Sequence, residues 1–146
     1  MSIQLFTIGF TKKSAEQFFT RIKNAGVKRV LDIRLKRDSQ LAGFAKERDL
    51  RFFLPTICSI DYRIVPELAP TDALLTAYKK EGAKWDFYER EFNRLLEQRR
   101  VEEKLDKSFF DFGCLLCSES TAEQCHRRLV AEYLQRRWGD VEIKHL

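Results

Sequence analysis

Length, composition and charge limit the classes of protein to which this chain can belong. Its 146 residues, 44% of them apolar, are enough for one domain with a substantial core. Because there is no apolar run of about 18 residues and the first residues lack the pattern of a signal peptide, we expect a soluble cytoplasmic protein without a membrane partner. The net charge is +5, and residues 1–53 contain 12 Lys and Arg against 5 Asp and Glu. This basic segment indicates an anionic partner such as nucleic acid, nucleotide or phosphate, with a solvated basic surface as the alternative.

The first part of the chain predicts a β-α-β unit. Residues 3–8 are an apolar segment typical of a strand, and Ser14 with Gln17 is typical of a capping box at the start of a helix that Gly26 ends. Residues 27–33 contain the run VLDI, which is apolar on both faces and favours an interior strand of a parallel sheet.

The rest of the sequence predicts seven further helices and strands. They are a helix over 41–54, a strand over 60–65, a helix capped by Thr71 that runs to Lys80, an amphipathic helix over 84–105, a strand over 110–117, a helix to Trp138 and a strand over 141–145. Thr121 and Gln124 form a second capping-box pair before the last helix. This order predicts an α/β fold: one three-layer domain over residues 1–146, with a mostly parallel sheet of about five strands and helices on both faces.

A thiol ends the fourth strand at the point where several α/β enzymes expose a nucleophile. Cys117 lies there, before a helix N-terminus whose dipole and nearby arginines favour a thiolate. A rhodanese or cysteine-phosphatase loop is excluded, because such a loop ends in an anion-binding arginine after about five residues. Here the sixth residue after Cys117 is Glu123, and the first arginine is Arg127. The alternative is a small apolar residue that ends a core strand.

Three reactive side chains accompany Cys117. His126 could form a thiol–imidazole pair with Cys117 or a general acid–base pair with Glu119, or it could be a polar residue at a solvated helix end. Cys125 precedes His126 on a first helical turn, so we expect the two side chains to point in different directions; its role, structural or in the site, stays open. Cys114 and Cys117 should point to opposite faces of their strand. A metal site formed by Cys117, Cys125, His126 and a carboxylate is chemically possible, but the C-x7-C-H spacing matches no standard zinc pattern, so we predict no metal ligand, and no cofactor is identified.

The end of the second strand carries a carboxylate and several groups suited to an anion. Asp32 lies in an apolar run where an unpaired charge is costly, and Arg34 faces the same side, so a structural ion pair and a catalytic acid are both open. Arg34, Arg37 and Ser39 follow the carboxyl end of the strand, which is the edge where open α/β sheets bind ligands. We predict that these three residues and Arg127 bind an anion.

The segments LFTIGFT, VLDIR and LLCSESTAEQCHRRLVAEYL together resemble the domain of unknown function 488 family, whose signature is a C-x-E segment followed by a C-H-R helix start. The resemblance implies an α/β domain with a site at Asp32, Arg34, Cys117, Glu119, Cys125, His126 and Arg127, and it implies no established reaction. The chain departs from the family pattern at Phe10, where His or Tyr is frequent, and at residues 66–70, where the family has a glycine-rich segment.

These observations predict a protein that binds nucleic acid, a nucleotide or another phosphate anion at the carboxyl edge of the sheet. Whether it is an enzyme that uses Cys117, Glu119 and His126, together with Asp32, is left open. One alternative is a non-catalytic binding module in which these groups form a structural polar network. The other alternative is a thiol-dependent enzyme. The sequence identifies neither a substrate nor an oligomeric state.

Overall fold

Five parallel strands form a single sheet, as the sequence predicts. A computed structural model describes residues 2–38, 43–119 and 121–146. The strands lie in the order β3-β2-β4-β1-β5. Their bounds are Ile3–Gly9 for β1, Arg29–Asp32 for β2, Asp61–Ile64 for β3, Gly113–Cys117 for β4 and Val141–His145 for β5. Every neighbouring pair in this sheet is parallel.

Helices cover both faces of the sheet, which makes the three-layer α/β fold. They are α1 (Ala15–Ala25), α2 (Glu47–Phe53), α3 (Asp72–Lys79), α4 (Trp85–Arg99), α5 (Val101–Lys104) and α6 (His126–Trp138). The first two helices pack on one face through residues such as Phe18 and Leu50, which share a core with Val30 and Leu116. The helices from α4 to α6 pack on the other face, against Leu31 and Leu115. No helix in the described part of the chain is long and apolar enough to cross a membrane.

Several predicted boundaries are wrong, each for a local reason. The amphipathic helix over 84–105 is divided at Arg100, whose left-handed backbone (φ 53°) separates α4 from α5. The fourth strand begins three residues later than predicted, because Lys107–Phe110 forms a 3₁₀ turn. After α2, the chain continues as a π-helical turn over Leu54–Cys58. Residues 41 and 42 of the predicted second helix lie outside the described residues.

The predicted capping box of Thr121 and Gln124 does not form. The last helix begins later, with Cys125 as its N-cap in an extended conformation (φ −138°, ψ 141°). Gln124 instead accepts a hydrogen bond from the hydroxyl of Tyr78 at 3.4 Å. The residues after β4 therefore form a loop that crosses the end of the sheet before α6 starts.

The connections from the two central strands leave a crevice at the carboxyl ends of the sheet. From the end of β1 the chain turns to α1 on one face, and from the end of the adjacent strand β4 it turns to α6 on the other. Such a change of direction between neighbouring strands is where open α/β sheets bind ligands. Gly9 and Cys117 are register partners at this point.

Gly9 is required by the close approach of the loop after β4. A Cβ atom on Gly9 would lie 1.6 Å from the carbonyl oxygen of Glu119, a distance that no packing tolerates. The amide of Thr11 also donates to the carbonyl of Ser118 at 3.0 Å. The end of β1 therefore fixes the position of the loop that follows Cys117.

Candidate active site

A cavity of about 270 Å³ opens beside this crevice, between the ends of β2 and β4 and the helices α3 and α4. Its floor is formed by Cys117, Cys125 and His126, and one wall by the aromatic side chains of Tyr78, Trp85 and Tyr88. The rings of Trp85 and Tyr88 are stacked, with their centroids 5.3 Å apart. The cavity has the size of a small-molecule site, at the lower end of the usual range. We refer to it as the cleft.

Cys117 and His126 are in direct contact at the floor of the cleft. Cys117 Sγ and His126 Nδ1 are 3.2 Å apart, and His126 Nε2 lies 2.8 Å from the carbonyl oxygen of Ile33. Because a carbonyl can only accept, Nε2 carries a proton, and Nδ1 is left to interact with the sulfur. Of the partners predicted for His126, the structure therefore supplies the thiol and not Glu119.

The surroundings of Cys117 favour its thiolate form. Burial alone would raise the pKa of this thiol, since the residue is 3% exposed. Hydrogen bonds from Cys125 and His126 and the positive charges of His126 and Arg127 outweigh burial and hold the pKa of Cys117 well below its ordinary value. The thiolate in turn raises the pKa of His126, although burial opposes this. Both shifts favour the charged forms, a thiolate at Cys117 and an imidazolium at His126.

Cys125 contacts the same sulfur, which contradicts the prediction that Cys125 and His126 point in different directions. Its thiol donates to Cys117 Sγ, with the two sulfurs 2.8 Å apart. This is possible because Cys125 is the extended N-cap residue and does not belong to the first helical turn. Burial and the adjacent thiolate raise the pKa of Cys125, so it keeps its proton while Cys117 loses its own.

Cys114, three residues earlier on the same strand, points to the opposite face, as predicted. It belongs to the core beneath α1 and α2 and is fully buried. Burial raises the pKa of Cys114, in contrast to that of Cys117 on the same strand. The two thiols therefore offer an internal comparison between an inert cysteine and an activated one.

Asp32 and Arg34 form the ion pair that the sequence allowed. Arg34 Nε and Nη2 donate to the two carboxylate oxygens of Asp32 at 2.9 and 2.7 Å. The hydroxyl of Tyr62 donates to Asp32 Oδ2 at 2.5 Å, and the amide of Arg34 donates to Oδ1 at 3.1 Å. Asp32 is fully buried and, in register with Leu116, faces away from Cys117. Its carboxylate thus holds the guanidinium of Arg34 and does not line the cleft.

Arg34 lines the cleft and retains one free donor. Its side chain is nearly fully buried, and its guanidinium lies 5.4 Å from the ring centre of Phe10. Among the described residues, Nη1 has no hydrogen-bond partner. A buried donor without a partner is costly unless a ligand or water satisfies it. Arg34 Nη1 is therefore available to an anionic group in the cleft.

Glu119 stands at the rim of the cleft, paired with Lys79. The two side chains form a salt bridge and are about half exposed, so the pair contributes little to stability. The backbone carbonyl of Glu119 accepts from Arg127 Nη1 at 2.5 Å. Neither this role of Lys79 nor the hydroxyl that Tyr62 directs at Asp32 was predicted from the sequence.

Arg127 is enclosed by the protein. Its Nε donates to Thr7 Oγ1 at 3.2 Å, and its Nη1 lies 3.7 Å from Cys125 Sγ. With 1% of its surface exposed, Arg127 joins β1, the loop after β4 and α6 and supplies positive charge near the thiols.

The other two residues predicted to bind an anion lie elsewhere. Arg37 Nε donates to Glu47 at 2.6 Å, beside a second, more open cavity that also includes Phe10 and Lys36. Ser39 lies outside the described residues.

Three possible metal ligands meet in the cleft, although the sequence predicted none. The sulfurs of Cys117 and Cys125 and a ring nitrogen of His126 all lie within 4.8 Å of one another. Two cysteines and a histidine can bind zinc with an open fourth position. However, two thiolates about 2.3 Å from a tetrahedral zinc are about 3.8 Å apart, whereas these sulfurs are separated by 2.8 Å. At this separation the two sulfurs are too close to be ligands of one zinc ion, and zinc would require them to move apart.

Comparison of the chain with models of known protein families finds one match. The family model described as "Domain of unknown function DUF488" matches residues 14–134, which is most of the chain. The chain belongs to the DUF488 family. No curated protein and no solved structure matches the chain. In this DUF488 protein the matched range includes both strand ends that form the cleft, β2 and β4, together with the start of α6. The outer strand β5 lies beyond it.

Proposed function

We propose that this DUF488 protein is a thiol-dependent enzyme that acts on a small electrophilic substrate with an anionic group. The observation that carries the proposal is the 3.2 Å contact between Cys117 Sγ and His126 Nδ1 at the floor of the cleft. A pair of this kind is the arrangement that activates cysteine nucleophiles. Position on β4 does not by itself activate a thiol, because Cys114 lies on the same strand and is enclosed by apolar side chains.

The groups around the cleft favour a negatively charged substrate. Among the described residues, four cationic side chains besides His126 line it, namely Arg34, Lys36, Lys79 and Lys80, against one carboxylate, that of Glu119. Lys79 is neutralised by Glu119 and Arg34 by Asp32, but Arg34 keeps an unused donor. An anionic substrate group would satisfy this donor, and the aromatic wall would cover the apolar part of the molecule.

The residues have separate roles in the proposed reaction. The sulfur of Cys117 forms a bond to the electrophilic atom of the substrate, and His126, at 3.2 Å, donates its Nδ1 proton to the departing group. Arg34 binds the anionic group. Asp32 and Tyr62 are positioning residues, because they hold Arg34 without lining the cleft.

A nucleic-acid ligand is the second candidate, on the basis of the basic N-terminal segment. Arg34, Lys36 and Arg37 lie at the carboxyl ends of the strands, which supports this reading. However, Lys28 precedes β2 and Arg29 begins it, and their cationic groups lie over the rings of Phe112 and Phe109 at the other end of the sheet. The basic residues therefore occupy more than one surface, and a nucleotide or other small phosphate fits the cleft better than a long polymer does.

Alkylation rates test the proposed function without a known substrate. Iodoacetate and iodoacetamide react with thiolates and differ mainly in that the first is an anion. We expect Cys117 to react with both reagents at neutral pH faster than the partly exposed Cys58, and Cys114 to stay unmodified, when each site is followed by peptide mass spectrometry. The ratio of the iodoacetate rate to the iodoacetamide rate should be higher at Cys117 than at Cys58.

Charge variants identify the groups responsible for this preference. In the double variant Lys79→Gln and Lys80→Gln, both exposed, the preference for iodoacetate at Cys117 should decrease. Lys23→Gln, on α1 and outside the cleft, is the matched control and should not change it. Inorganic phosphate should slow the labelling of Cys117 but not of Cys58. Labelling of Cys117 no faster than that of Cys58 would refute the enzyme proposal, and an unchanged reagent ratio in the double variant would refute the anionic substrate.

A further inference from the structure

The mechanism proposed above uses Cys117 and His126 but gives no reaction to Cys125. This second thiol is buried, lies in the floor of the same cleft and is 2.8 Å from the nucleophilic sulfur. The bond in a disulfide is about 2.05 Å long, so closing it would move the sulfurs together by only about 0.8 Å. The two backbones belong to different elements, the end of β4 and the N-cap of α6, with a short loop between them.

We infer that Cys117 and Cys125 form a reactive pair that reduces small peroxides through a reversible disulfide. The inference rests on the nucleophilic Cys117 of the proposed function and assigns Cys125 as the resolving thiol. The cleft gives a small peroxide access to the sulfur of Cys117, and Cys125 is already placed to attack whatever forms there.

The reaction takes place in two balanced steps. First, the Cys117 thiolate attacks one oxygen of hydrogen peroxide; an S–O bond forms, the O–O bond breaks, and the departing hydroxide takes a proton from His126 to leave as water. Cys117 is now a sulfenic acid. Second, Cys125 sulfur attacks Cys117 sulfur; an S–S bond forms, the S–O bond breaks, and the hydroxide combines with the proton of the Cys125 thiol as a second water. The thiols are oxidised by two electrons and the peroxide is reduced.

A dithiol reductant returns the pair to its starting state. Its thiolate attacks the disulfide, a mixed disulfide forms, and its second thiol then releases both protein cysteines with oxidation of the reductant. While the disulfide exists, Cys117 cannot act as a nucleophile. The same reaction therefore protects this sulfur from the irreversible oxidation states and suspends its alkylation.

The test is a comparison of the full chain with Cys125→Ser and Cys114→Ser after treatment with stoichiometric hydrogen peroxide and a chelator. Intact mass and peptide mapping should show that the wild type and Cys114→Ser lose two thiols per chain as a Cys117–Cys125 disulfide, which dithiothreitol reverses. In Cys125→Ser, a sulfenic acid at Cys117 should be trapped by dimedone. Without dimedone, a second equivalent of peroxide should oxidise it to the sulfinic state, which dithiothreitol does not reverse.

Three results would overturn the inference. In the first, Cys117 of the wild type becomes sulfinic without a disulfide; in the second, the disulfide joins other cysteines. In the third, the pair retains zinc, the zinc blocks oxidation, and no disulfide forms after the zinc has been removed. Alkylation by iodoacetate separates the two proposals. Rapid alkylation of Cys117 without disulfide formation rejects the peroxide reaction alone, whereas a failure of both rejects the nucleophile itself.

Discussion

Replacing His126 by Gln should move the reactivity of Cys117 to higher pH. The substitution removes the imidazolium that lies 3.2 Å from the sulfur, while an amide can still donate toward the carbonyl of Ile33. Cys125 and Arg127 remain, so part of the stabilisation of the thiolate is kept. Because Cys117 is almost fully buried, its pKa should rise once the opposing charge is lost.

The size of the effect follows from the charged hydrogen bond that is lost. Such a bond contributes about 1.5–3 kcal/mol, which lowers the thiolate population by about ten- to a hundredfold at the pH where the wild-type thiol is half ionised. The remaining thiolate is more basic and therefore more nucleophilic, by about three- to tenfold. The alkylation rate at that pH should therefore fall by the ratio of the lost thiolate population to the gained nucleophilicity, which is about three- to tenfold.

The full pH profile of alkylation distinguishes this explanation from a blocked cleft. Above the thiol pKa values of both proteins, the His126→Gln variant should alkylate faster than the wild type, so the two rate curves should cross. The assay is the rate of iodoacetamide incorporation at Cys117 from acid to alkaline pH, with Cys58 as the internal reference. A uniform decrease at every pH, with no crossing, would refute the reasoning and indicate that the substitution only limits access.

Three further predictions concern stability. Because the pKa of Cys117 is lowered in the folded state, its contribution to stability is complete above the ordinary thiol value of about 8.5 and is lost as the pH falls; the contribution of His126, whose pKa is raised, is complete below about pH 6.5 and is lost as the pH rises. Below about pH 6.5, where the His126 contribution is constant, the urea midpoint should fall with decreasing pH more in the wild type than in Cys117→Ser; an equal decrease in both proteins would contradict the pair. Tyr62→Phe should lower the free energy of unfolding by about 1.5 kcal/mol, since it removes a hydrogen bond to a buried carboxylate; an unchanged value would show that this bond has no net effect. Gly9→Ala should destabilise the protein and slow alkylation of Cys117, whereas Gly43→Ala, with open space around its Cβ, should do neither.

The sequence predicted the fold well because its signals are local and mutually consistent. Apolar strands and glycine or capping signals at helix ends indicated all five strands and the β-α alternation, and the parallel sheet confirms them. The start of α6 was misplaced because capping statistics favour Thr121, whereas Cys125 takes the N-cap position. No pattern in sequence shows that an N-cap thiol will turn toward a neighbouring strand end.

The composition of the cleft was only partly predictable for a different reason. Cys117, His126, Asp32 and Arg34 stand at strand or helix ends, where a parallel sheet brings ligand-binding groups together. The aromatic wall was not predicted, because residues such as Trp85 have the same helical spacing whether they fill a core or line a cavity. Likewise, a surplus of basic residues along the chain does not show which of them share a surface in the folded protein.

The ionisation state of Cys117 decides most directly whether this DUF488 protein has an activated thiol. It can be measured as the ultraviolet absorbance of thiolate across a pH titration, taken as the difference between the wild type and Cys117→Ser, with Cys114→Ser as the control for a buried thiol on the same strand. We expect a thiolate signal at neutral pH that disappears only on acidification and that is retained in Cys114→Ser. A difference signal that appears only above about pH 8.5, the range of an ordinary cysteine, would contradict the thiolate–imidazolium pair and with it the proposed enzyme.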